Sequence, residues 1–219
     1  MFFNLSDQNS IASRFLLELR DKEIQRDPMK FRFNLERLGR IMAYEVSKQL
    51  PYAGKHVTTS LGTAKVADLV QQPVLISILR AGLPFLQGFL DTFDHADTGF
   101  IGAYRNEKGQ SLTVSMDYLA TPVLQDRDVI LVDPMLATGG SLVATLTYLL
   151  SKGNPRSINI VSVIAAPEGI QRTEQFFQQH KNVEFRVWVG AVDDRLNEQF
   201  YIIPGLGDAG DLSYGSKTE

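Results

Sequence analysis

Apolar runs typical of buried strands alternate with helical patterns along most of this chain. The strand-like segments lie at residues 74–79, 128–133, 158–164 and 184–189. Nearly uninterrupted apolar runs are typical of parallel strands that are buried on both faces of a sheet. Helical patterns separate them, at residues 85–93, 142–150 and 167–178. This alternation predicts an α/β fold, in which a parallel sheet carries helices on both faces.

Two helices are predicted ahead of the first buried strand. Ser10 is a candidate N-cap for a helix that runs to Leu19. Asp27 followed by Pro28 is a strong helix start, because an N-cap acid precedes proline at the first helical position. Apolar residues then recur at helical spacing as far as Leu50, which indicates a second helix that packs on the core.

Two further segments have the alternating pattern of β-hairpins. Residues 56–70 predict a small hairpin. Residues 100–104 predict a strand that ends at Arg105, and residues 106–122 alternate around a turn at Lys108. We expect this second hairpin to project from the sheet as a lid. No repeat or linker divides the chain, so we expect one domain over residues 1–219, with helices in 1–50, the hairpin at 106–122 and a C-terminal segment at 191–215.

Composition narrows the class of protein. Hydrophobic residues make up 44% and charged residues 21% of the chain, and the net charge is −3, so a soluble globular fold is expected and a broad nucleic-acid surface is not. The absence of cysteine excludes disulfides and thiolate catalysis, and it suits a cytoplasmic protein. We expect no signal peptide and no membrane span.

A loop of small residues follows the strand pattern that ends at Asp133. Thr138, Gly139, Gly140 and Ser141 offer two hydroxyls and a row of backbone N–H groups where the next helix should begin. This arrangement predicts an anion site, and the glycines would let a phosphate approach the backbone. The alternative is a plain strand–helix junction with Ser141 as N-cap. A P-loop is disfavoured, because Gly140 stands where that motif needs lysine.

Two arginines follow strand patterns at the same expected edge of the sheet. Arg80 comes directly after residues 74–79, and Arg105 follows residues 100–104. The guanidinium fork binds phosphate oxygens in pairs and keeps its charge. Together with the anion site, the two arginines predict a ligand with more than one phosphate. For either arginine alone, a surface salt bridge is the alternative.

The C-terminal segment is rich in glycine and acids. Gly205 to Gly210 has the spacing G-x-G-x-x-G, but a dinucleotide site needs this motif to open a helix in a βαβ unit, with a ribose-binding acid farther on. The motif here lacks that context, so we expect it not to be a dinucleotide site. A flexible tail is the alternative. It is disfavoured by apolar residues in the segment: Tyr201, Ile202, Ile203 and Leu206.

Five motifs, in this order, resemble the signatures of the uracil phosphoribosyltransferases. They occupy residues 78–83, 104–107, 132–141, 165–169 and 201–211. The resemblance covers most of the chain and implies a type I phosphoribosyltransferase-like sheet, with a projecting β-hairpin and a C-terminal base-binding loop. It implies an enzyme of pyrimidine salvage, which transfers the phosphoribosyl group from phosphoribosyl pyrophosphate to uracil and releases UMP and pyrophosphate.

The resemblance also implies roles for individual residues. Its catalytic residues would be Arg80, Arg105, Asp133 and Asp208, and both arginines would hold the pyrophosphate. The donor would further be bound by Asp208 and by the loop residues Asp133, Pro134, Met135, Leu136, Ala137, Thr138, Gly139, Gly140 and Ser141. Uracil would be bound by Ile202, Gly207, Asp208 and Ala209. A glycine-rich backbone suits uracil, which presents two carbonyl acceptors around an N–H donor.

The expected cofactor is Mg²⁺, held mainly through the substrate, so no residue is assigned as a metal ligand. The expected partners are uracil and phosphoribosyl pyrophosphate, without nucleic acid or membrane, and the chain is expected to form a homodimer or higher homo-oligomer. Two alternatives stay open: a phosphoribosyltransferase for another base, and a catalytically silent regulator that binds uracil and the donor. The chain departs from the family pattern at Arg195 and Phe200, where glycine is common.

Overall fold

The computed structural model describes the backbone of residues 1–108 and 111–216, and the side chains of residues 1–102 and 117–216. In chain order the strands are β1 (Phe2–Asn4), β2 (Tyr52–Thr58), β3 (Thr63–Leu69), β4 (Val74–Leu79), β5 (Asp97–Lys108), β6 (Ser111–Ala120), β7 (Asp128–Val132), β8 (Met135–Leu136), β9 (Ser157–Ala165), β10 (Glu184–Val192), β11 (Arg195–Leu196) and β12 (Ile202–Ile203). The helices are α1 (Ile11–Arg20), α2 (Pro28–Ser47), α3 (Gly82–Leu90), α4 (Gly140–Lys152), α5 (Pro167–Gln179) and α6 (Ala209–Tyr214).

An eight-stranded sheet forms the centre of the described part of the chain. Its strands follow one another in the order β1-β10-β9-β7-β4-β5-β6, and β8 pairs with the end of β9. Neighbouring strands are parallel except for β5 and β6, which are antiparallel. The predicted parallel sheet is therefore confirmed, with one antiparallel strand at an edge.

Alternate residues of the central strands pack against different helices. Leu75, Ile130 and Val161 belong to a buried cluster with α1, α2 and α3. Ile76 and Leu131 belong to a second cluster with α4 and α5. Successive side chains of a strand point to opposite faces of the sheet, so these two clusters lie on opposite faces. The expectation of helices on both faces is confirmed.

The first two helices begin where the sequence predicts. The Ser10 side chain accepts a hydrogen bond from the Ala12 N–H at 3.2 Å and caps α1. The Asp27 side chain accepts from the Met29 and Lys30 N–H groups at 2.9 and 3.2 Å, and α2 starts at Pro28. Side-chain oxygens thus satisfy N–H groups that the first turn of a helix leaves without partners.

The hairpin predicted at residues 56–70 is confirmed as β2 and β3, which are slightly longer than expected. Among the residues that the structure describes, these strands pair only with each other, and most of their side chains are exposed. Leu61, in the turn between them, is 99% exposed. The hairpin thus contributes little to either buried cluster.

The strand predicted to end at Arg105 is longer than expected. β5 pairs with β4 from Asp97 to Gly102 and continues beyond the sheet to Lys108, paired with β6. The predicted second hairpin is therefore an extension of the main sheet, because one continuous strand belongs to both. Its register shifts between Gly102 and Ala103, a β-bulge. Gly109, which follows Lys108 at the predicted turn, lies outside the described residues.

Two helix starts differ from the predicted positions. α3 begins at Gly82 rather than Phe85, since Pro84 falls in the first turn, where a missing N–H costs nothing. α4 begins at Gly140, and its N-cap is Gly139, so the alternative that Ser141 caps this helix is wrong.

The N-terminal strand β1 was not predicted. It is short and pairs in parallel with β10, where the Phe3 ring stacks on the Trp188 ring with centroids 3.8 Å apart. Among the described residues, no helix has the length and apolar character that a membrane crossing requires.

Candidate functional site

Loops that follow three parallel strands lie at the carboxyl edge of the sheet. Arg80 follows β4, Asp133 follows β7 and Asp193 follows β10. Ligand sites of open α/β sheets lie at this edge. The C-terminal segment joins the same edge, because the Leu196 N–H donates to the Glu168 carboxylate, just after β9, at 3.1 Å.

The first half of the predicted phosphate loop is anchored to β9. The Pro134 carbonyl accepts hydrogen bonds from the Val163 and Ile164 N–H groups at 3.0 and 3.1 Å. The side chains of Leu136 and Ala137 are buried in the core. These residues can therefore meet a ligand only through their backbone, and their side chains fix the position of the loop.

The second half of the loop forms the N-terminus of α4. Gly139 has a φ of 72°, which glycine adopts without steric cost, and Thr138 Oγ1 accepts from the Gly140 N–H at 3.3 Å. Asp133 Oδ1 accepts from the Met135 N–H at 3.2 Å at the other end of the loop. Residues 133–141 thus form one continuous loop, which includes the short strand β8 and ends where N–H groups and the helix dipole favour an anion.

Gly169, in the first turn of α5, supports this loop from behind. A Cβ at Gly169 would overlap the Ala137 carbonyl oxygen, and a Cβ at Gly139 would lie 3.2 Å from the Gly169 carbonyl oxygen. The loop and the start of α5 therefore touch backbone to backbone. This contact gives a physical reason for the motif at residues 165–169, which carries no predicted ligand contact.

Arg80 lies between the end of β4 and the start of α3, and its peptide bond with Leu79 is cis. Its Nη2 atom forms a salt bridge with Asp211 Oδ1 at 2.9 Å and lies 3.4 Å from the Gly215 carbonyl oxygen. A Cβ at Gly82 would overlap the Ser77 hydroxyl, so α3 begins in direct contact with β4. The structure thus places Arg80 against the C-terminal segment.

Arg105 lies in the part of β5 that extends beyond β4, where its backbone pairs with Val114 of β6. Its side chain lies outside the described side chains. The assignment of Arg105 to the pyrophosphate therefore stays a prediction.

The C-terminal segment is ordered against the core. β11 and β12 form a small antiparallel hairpin, and Gly205 and Gly207 follow with φ values of 66° and 89°. Ile202, Leu206 and Ala209 are buried in the cluster that holds α1, α2 and α3. The alternative of a flexible tail is wrong, because these three apolar side chains fix the segment.

Asp193 and Arg20 hold the glycine-rich turn in place. Arg20 forms two hydrogen bonds with the Asp193 carboxylate, at 2.8 and 2.5 Å, and a third with the Gly205 carbonyl at 2.9 Å. Asp193 also accepts from the Gly205 N–H at 2.9 Å. Asp193 therefore supports the C-terminal loop, through its hydrogen bonds with Arg20 and Gly205.

Two supports of this turn were missed in the sequence. Arg20 is the first, and Gln25 is the second, since its amide donates to the Leu19 and Leu206 carbonyls at 2.7 and 3.2 Å. Both residues lie more than a hundred positions from the turn that they hold. A motif search has no signal for Gln25. For Arg20 there was one signal, because Leu19 and Arg20 together fit the pattern of the family that the chain resembles.

Asp208 acts as the N-cap of α6, because its Oδ1 accepts from the Asp211 N–H at 2.9 Å. Gly207 is exposed and Ile202 is buried, so Ile202 can offer a base only its backbone. The four predicted uracil residues therefore run from β12 to the start of α6, and Asp211, which forms the salt bridge with Arg80, follows Asp208 by three residues.

Tyr214 lies at the end of α6, three residues after Asp211. Partial burial raises the pKa of Tyr214, and the nearby charges of Arg32 and Arg80 lower it to a smaller extent. The phenol is therefore protonated at neutral pH. Arg32 donates to the Ser213 carbonyl at 2.6 Å and holds this end of the helix.

The described residues contain no group of three or more acidic, histidine or cysteine side chains that could enclose a metal ion. Asp133 is the acid of the phosphate loop. Mg²⁺ is commonly bound through one or two carboxylates together with substrate phosphates and water. A single carboxylate of this kind would suit a magnesium ion that is held mainly by substrate phosphates.

A cavity of about 490 Å³ lies elsewhere, between the N-terminal segment and α2, and is lined by Phe3, Met42 and Trp188 among others. It contains none of the predicted site residues. We assign the chemistry to the carboxyl edge of the sheet, because the charged and glycine-rich loops meet there.

Comparison with known proteins identifies the family to which the chain is similar. The family model described as uracil phosphoribosyltransferase matches residues 6–216. A uracil phosphoribosyltransferase of Porphyromonas gingivalis is 42% identical over 215 residues, covering 98% of each chain. One from Dictyoglomus thermophilum is 43% identical over 204 residues, covering 92% of this chain and 94% of its own.

Solved structures give the same fold. A structure from Aquifex aeolicus superimposes with a TM-score of 0.87 at 36% identity and covers 100% of both chains. A hypoxanthine phosphoribosyltransferase of Staphylococcus aureus has a TM-score of 0.50 at 15% identity over 74% of each chain, a likeness of fold alone. From its motifs, its fold and these relatives, the chain belongs to the uracil phosphoribosyltransferase family.

Proposed function

We propose that this chain transfers the phosphoribosyl group of phosphoribosyl pyrophosphate to uracil, which yields UMP and pyrophosphate. One observation carries the proposal. The glycine-rich C-terminal turn lies against Arg80, although Asp211 and Arg80 are 131 positions apart in the sequence. A base held by this turn would therefore lie next to a cation that can hold a leaving diphosphate.

The donor is assigned to the loop at residues 133–141 and to Arg80 and Arg105. The N–H groups at the start of α4 suit the 5-phosphate. Asp133 is assigned to the ribose hydroxyls, because a carboxylate accepts hydrogen bonds from hydroxyl groups. Negative charge grows on the pyrophosphate as it leaves, so the two guanidinium groups stabilise the transition state.

Uracil is assigned to the backbone of Ile202, Gly207, Asp208 and Ala209. The exposed Gly207 leaves space for a flat ring, since a Cβ there would meet no atom closer than 3.5 Å. A cytosine amino group would present a donor where uracil presents an acceptor, and sites built on hydrogen bonds reject such analogues strongly. Asp208 Oδ1 caps α6, which leaves Oδ2 as the candidate acceptor for the uracil proton.

We include Mg²⁺ in the proposal, with the Asp133 carboxylate as its candidate protein contact. When bound, the ion would neutralise charge on the diphosphate. The protein residues do the remaining work: they orient the donor, hold the base and stabilise the leaving group. The hairpin of β5 and β6 is proposed to exclude water, which would otherwise compete with uracil for the sugar.

We also propose that the chain acts as a homodimer or higher homo-oligomer in the cytoplasm. The exposed β2–β3 hairpin supports the first part, because an isolated two-stranded hairpin is at best marginally stable in water. The absence of cysteine supports the second part. Light scattering on the purified protein measures the oligomeric state, and a monomer would reject that part of the proposal.

The central test is whether UMP forms when the protein is supplied with uracil, phosphoribosyl pyrophosphate and Mg²⁺. Chromatography detects the UMP, and a separate assay measures the pyrophosphate that is released. Cytosine, hypoxanthine and adenine are assayed in parallel. We expect UMP from uracil and a rate at least about 10⁴-fold lower with cytosine. Turnover of another base in preference to uracil, or binding of both substrates without release of pyrophosphate, would reject the proposal.

A further inference from the structure

We infer that Asp211 is a positioning residue that holds Arg80 when no diphosphate is bound and competes with the diphosphate for it. The inference rests on the proposed function, since it assigns a partner to the arginine that would hold the pyrophosphate. The sequence motifs do not predict this role. They place Asp211 at the end of the glycine-rich C-terminal motif but do not indicate which residue it contacts.

The contact has the geometry of an exchangeable ion pair. Arg80 Nη2 and Asp211 Oδ1 are 2.9 Å apart, and each side chain is 37% exposed. Within the described part of the chain, Asp211 is the one acid that forms a salt bridge with Arg80. A pair that is open to water is weak, so a ligand with several negative charges can displace the carboxylate.

The carboxylate of Asp211 is not needed to build the helix on which it lies. Asp208 caps α6 and accepts from the backbone N–H of Asp211, and Gly215 donates to the backbone carbonyl of Asp211. Both contacts use main-chain atoms of Asp211. A substitution that removes only its charge therefore leaves the helix contacts in place and changes the electrostatic surroundings of Arg80.

Two effects of Asp211 on a bound diphosphate have the same sign. The Asp211 carboxylate pairs with the guanidinium group that the diphosphate needs, and it repels the diphosphate because both are negatively charged. Asp211 therefore weakens diphosphate binding. In the catalytic cycle it recovers Arg80 as pyrophosphate leaves, which prevents the arginine from retaining the product.

The test is calorimetric titration with inorganic pyrophosphate, at low soluble Mg²⁺, of the full chain and three variants. Asp211→Asn removes the charge and keeps the shape, Asp211→Glu keeps the charge, and Asp194→Asn is a control for one unit of net charge at an exposed acid of the same segment. Thermal unfolding of each variant checks that the fold is retained.

We expect Asp211→Asn to bind pyrophosphate about three- to tenfold more tightly, since a competing ion pair and a like charge are both removed. Its KM for phosphoribosyl pyrophosphate should fall in the same direction. Asp211→Glu and Asp194→Asn should stay within about twofold of the original chain. Damage to the fold would weaken binding, so a gain in affinity separates positioning from a structural role.

Two results would overturn the inference in distinguishable ways. Equal or weaker binding by Asp211→Asn, with pyrophosphate bound by the original chain, would reject competition by Asp211 and leave the proposed function intact. Failure of the original chain to bind pyrophosphate would reject the donor site itself, and the inference with it.

Discussion

The salt bridge between Arg20 and Asp193 gives the sharpest test of how the base site is held. The Asp193 side chain is 4% exposed and accepts hydrogen bonds from Nη1 and Nη2 of Arg20 and from the Gly205 N–H. Asp193→Ala removes these three hydrogen bonds at once. It leaves the Arg20 charge without its partner and a buried backbone N–H of the glycine-rich turn without an acceptor.

The cost can be worked from these contacts. Breaking a buried ion pair by removal of one partner costs about 3–5 kcal/mol, but Arg20 is 25% exposed and can regain water, which lowers this figure. A buried N–H without an acceptor costs about 1–3 kcal/mol. We expect Asp193→Ala to lower the free energy of unfolding by about 2–4 kcal/mol, which corresponds to a fall in Tm of about 4–16 °C for a chain of this size.

The functional effect should be confined to the base. The turn at residues 205–207 loses its anchor, while the phosphate loop keeps its hydrogen bonds to β9. We expect kcat/KM for uracil to fall about 10–100-fold, the size of effect that a shift of about 1 Å at a reacting group can cause. The affinity for pyrophosphate should change much less.

Urea unfolding at equilibrium and steady-state kinetics with uracil measure the two effects. The matched control is Asp194→Ala, since Asp194 is the neighbouring acid and is exposed. It should stay within about 0.5 kcal/mol of the original chain. If Asp193→Ala also stays within that range, or if uracil saturates it normally, the assignment of Asp193 as the anchor is refuted.

Three further predictions follow from single residues. Phe200 has a φ of 62° and a side chain that is 43% exposed, so Phe200→Gly should raise the free energy of unfolding in urea by about 1 kcal/mol, and a lower value would contradict the strain argument. Arg105→Ala should lower turnover by about 10²–10³, and an effect below a few-fold would remove Arg105 from the mechanism. A hydrogen bond from Asn34, assisted by Lys30, lowers the pKa of Glu18 below its usual value of 4.5. Glu18 therefore adds stability above that pH, and the stability is lost as the pH falls through the lowered value; Glu18→Gln should flatten this acid limb, and an unchanged limb would reject the assignment.

Local chemistry made the central fold readable from the sequence. The buried strand β4 has the predicted bounds, Val74–Leu79, because apolar runs of that length fit a parallel strand with helices on both faces. The starts of α1 and α2 could also be predicted from local sequence, because Ser10 and Asp27 cap the helices that directly follow them.

Contacts between distant segments limited the rest of the prediction. β1 is only Phe2–Asn4, and its pairing is decided by β10 nearly the whole length of the chain away. Arg20 and Asp193 are 173 positions apart, and neither residue type predicts the other. The site loops could be predicted because each contains residue types that suit a ligand. The residues that hold these loops in place could not, because they act only through contacts between distant segments.

Strand β5, which pairs with both β4 and β6, links the positions of Arg80 and Arg105, the two arginines that are predicted to hold the pyrophosphate. Leu79, next to Arg80, pairs with Gly102, three residues before Arg105 on the same strand. A hydrogen-bonded ladder resists stretching, so we expect the separation between these positions to change mainly by bending at the bulge beside Gly102. Under the proposed function, the bend at that bulge, rather than the length of a loop, would set the distance between the two arginines that hold the diphosphate.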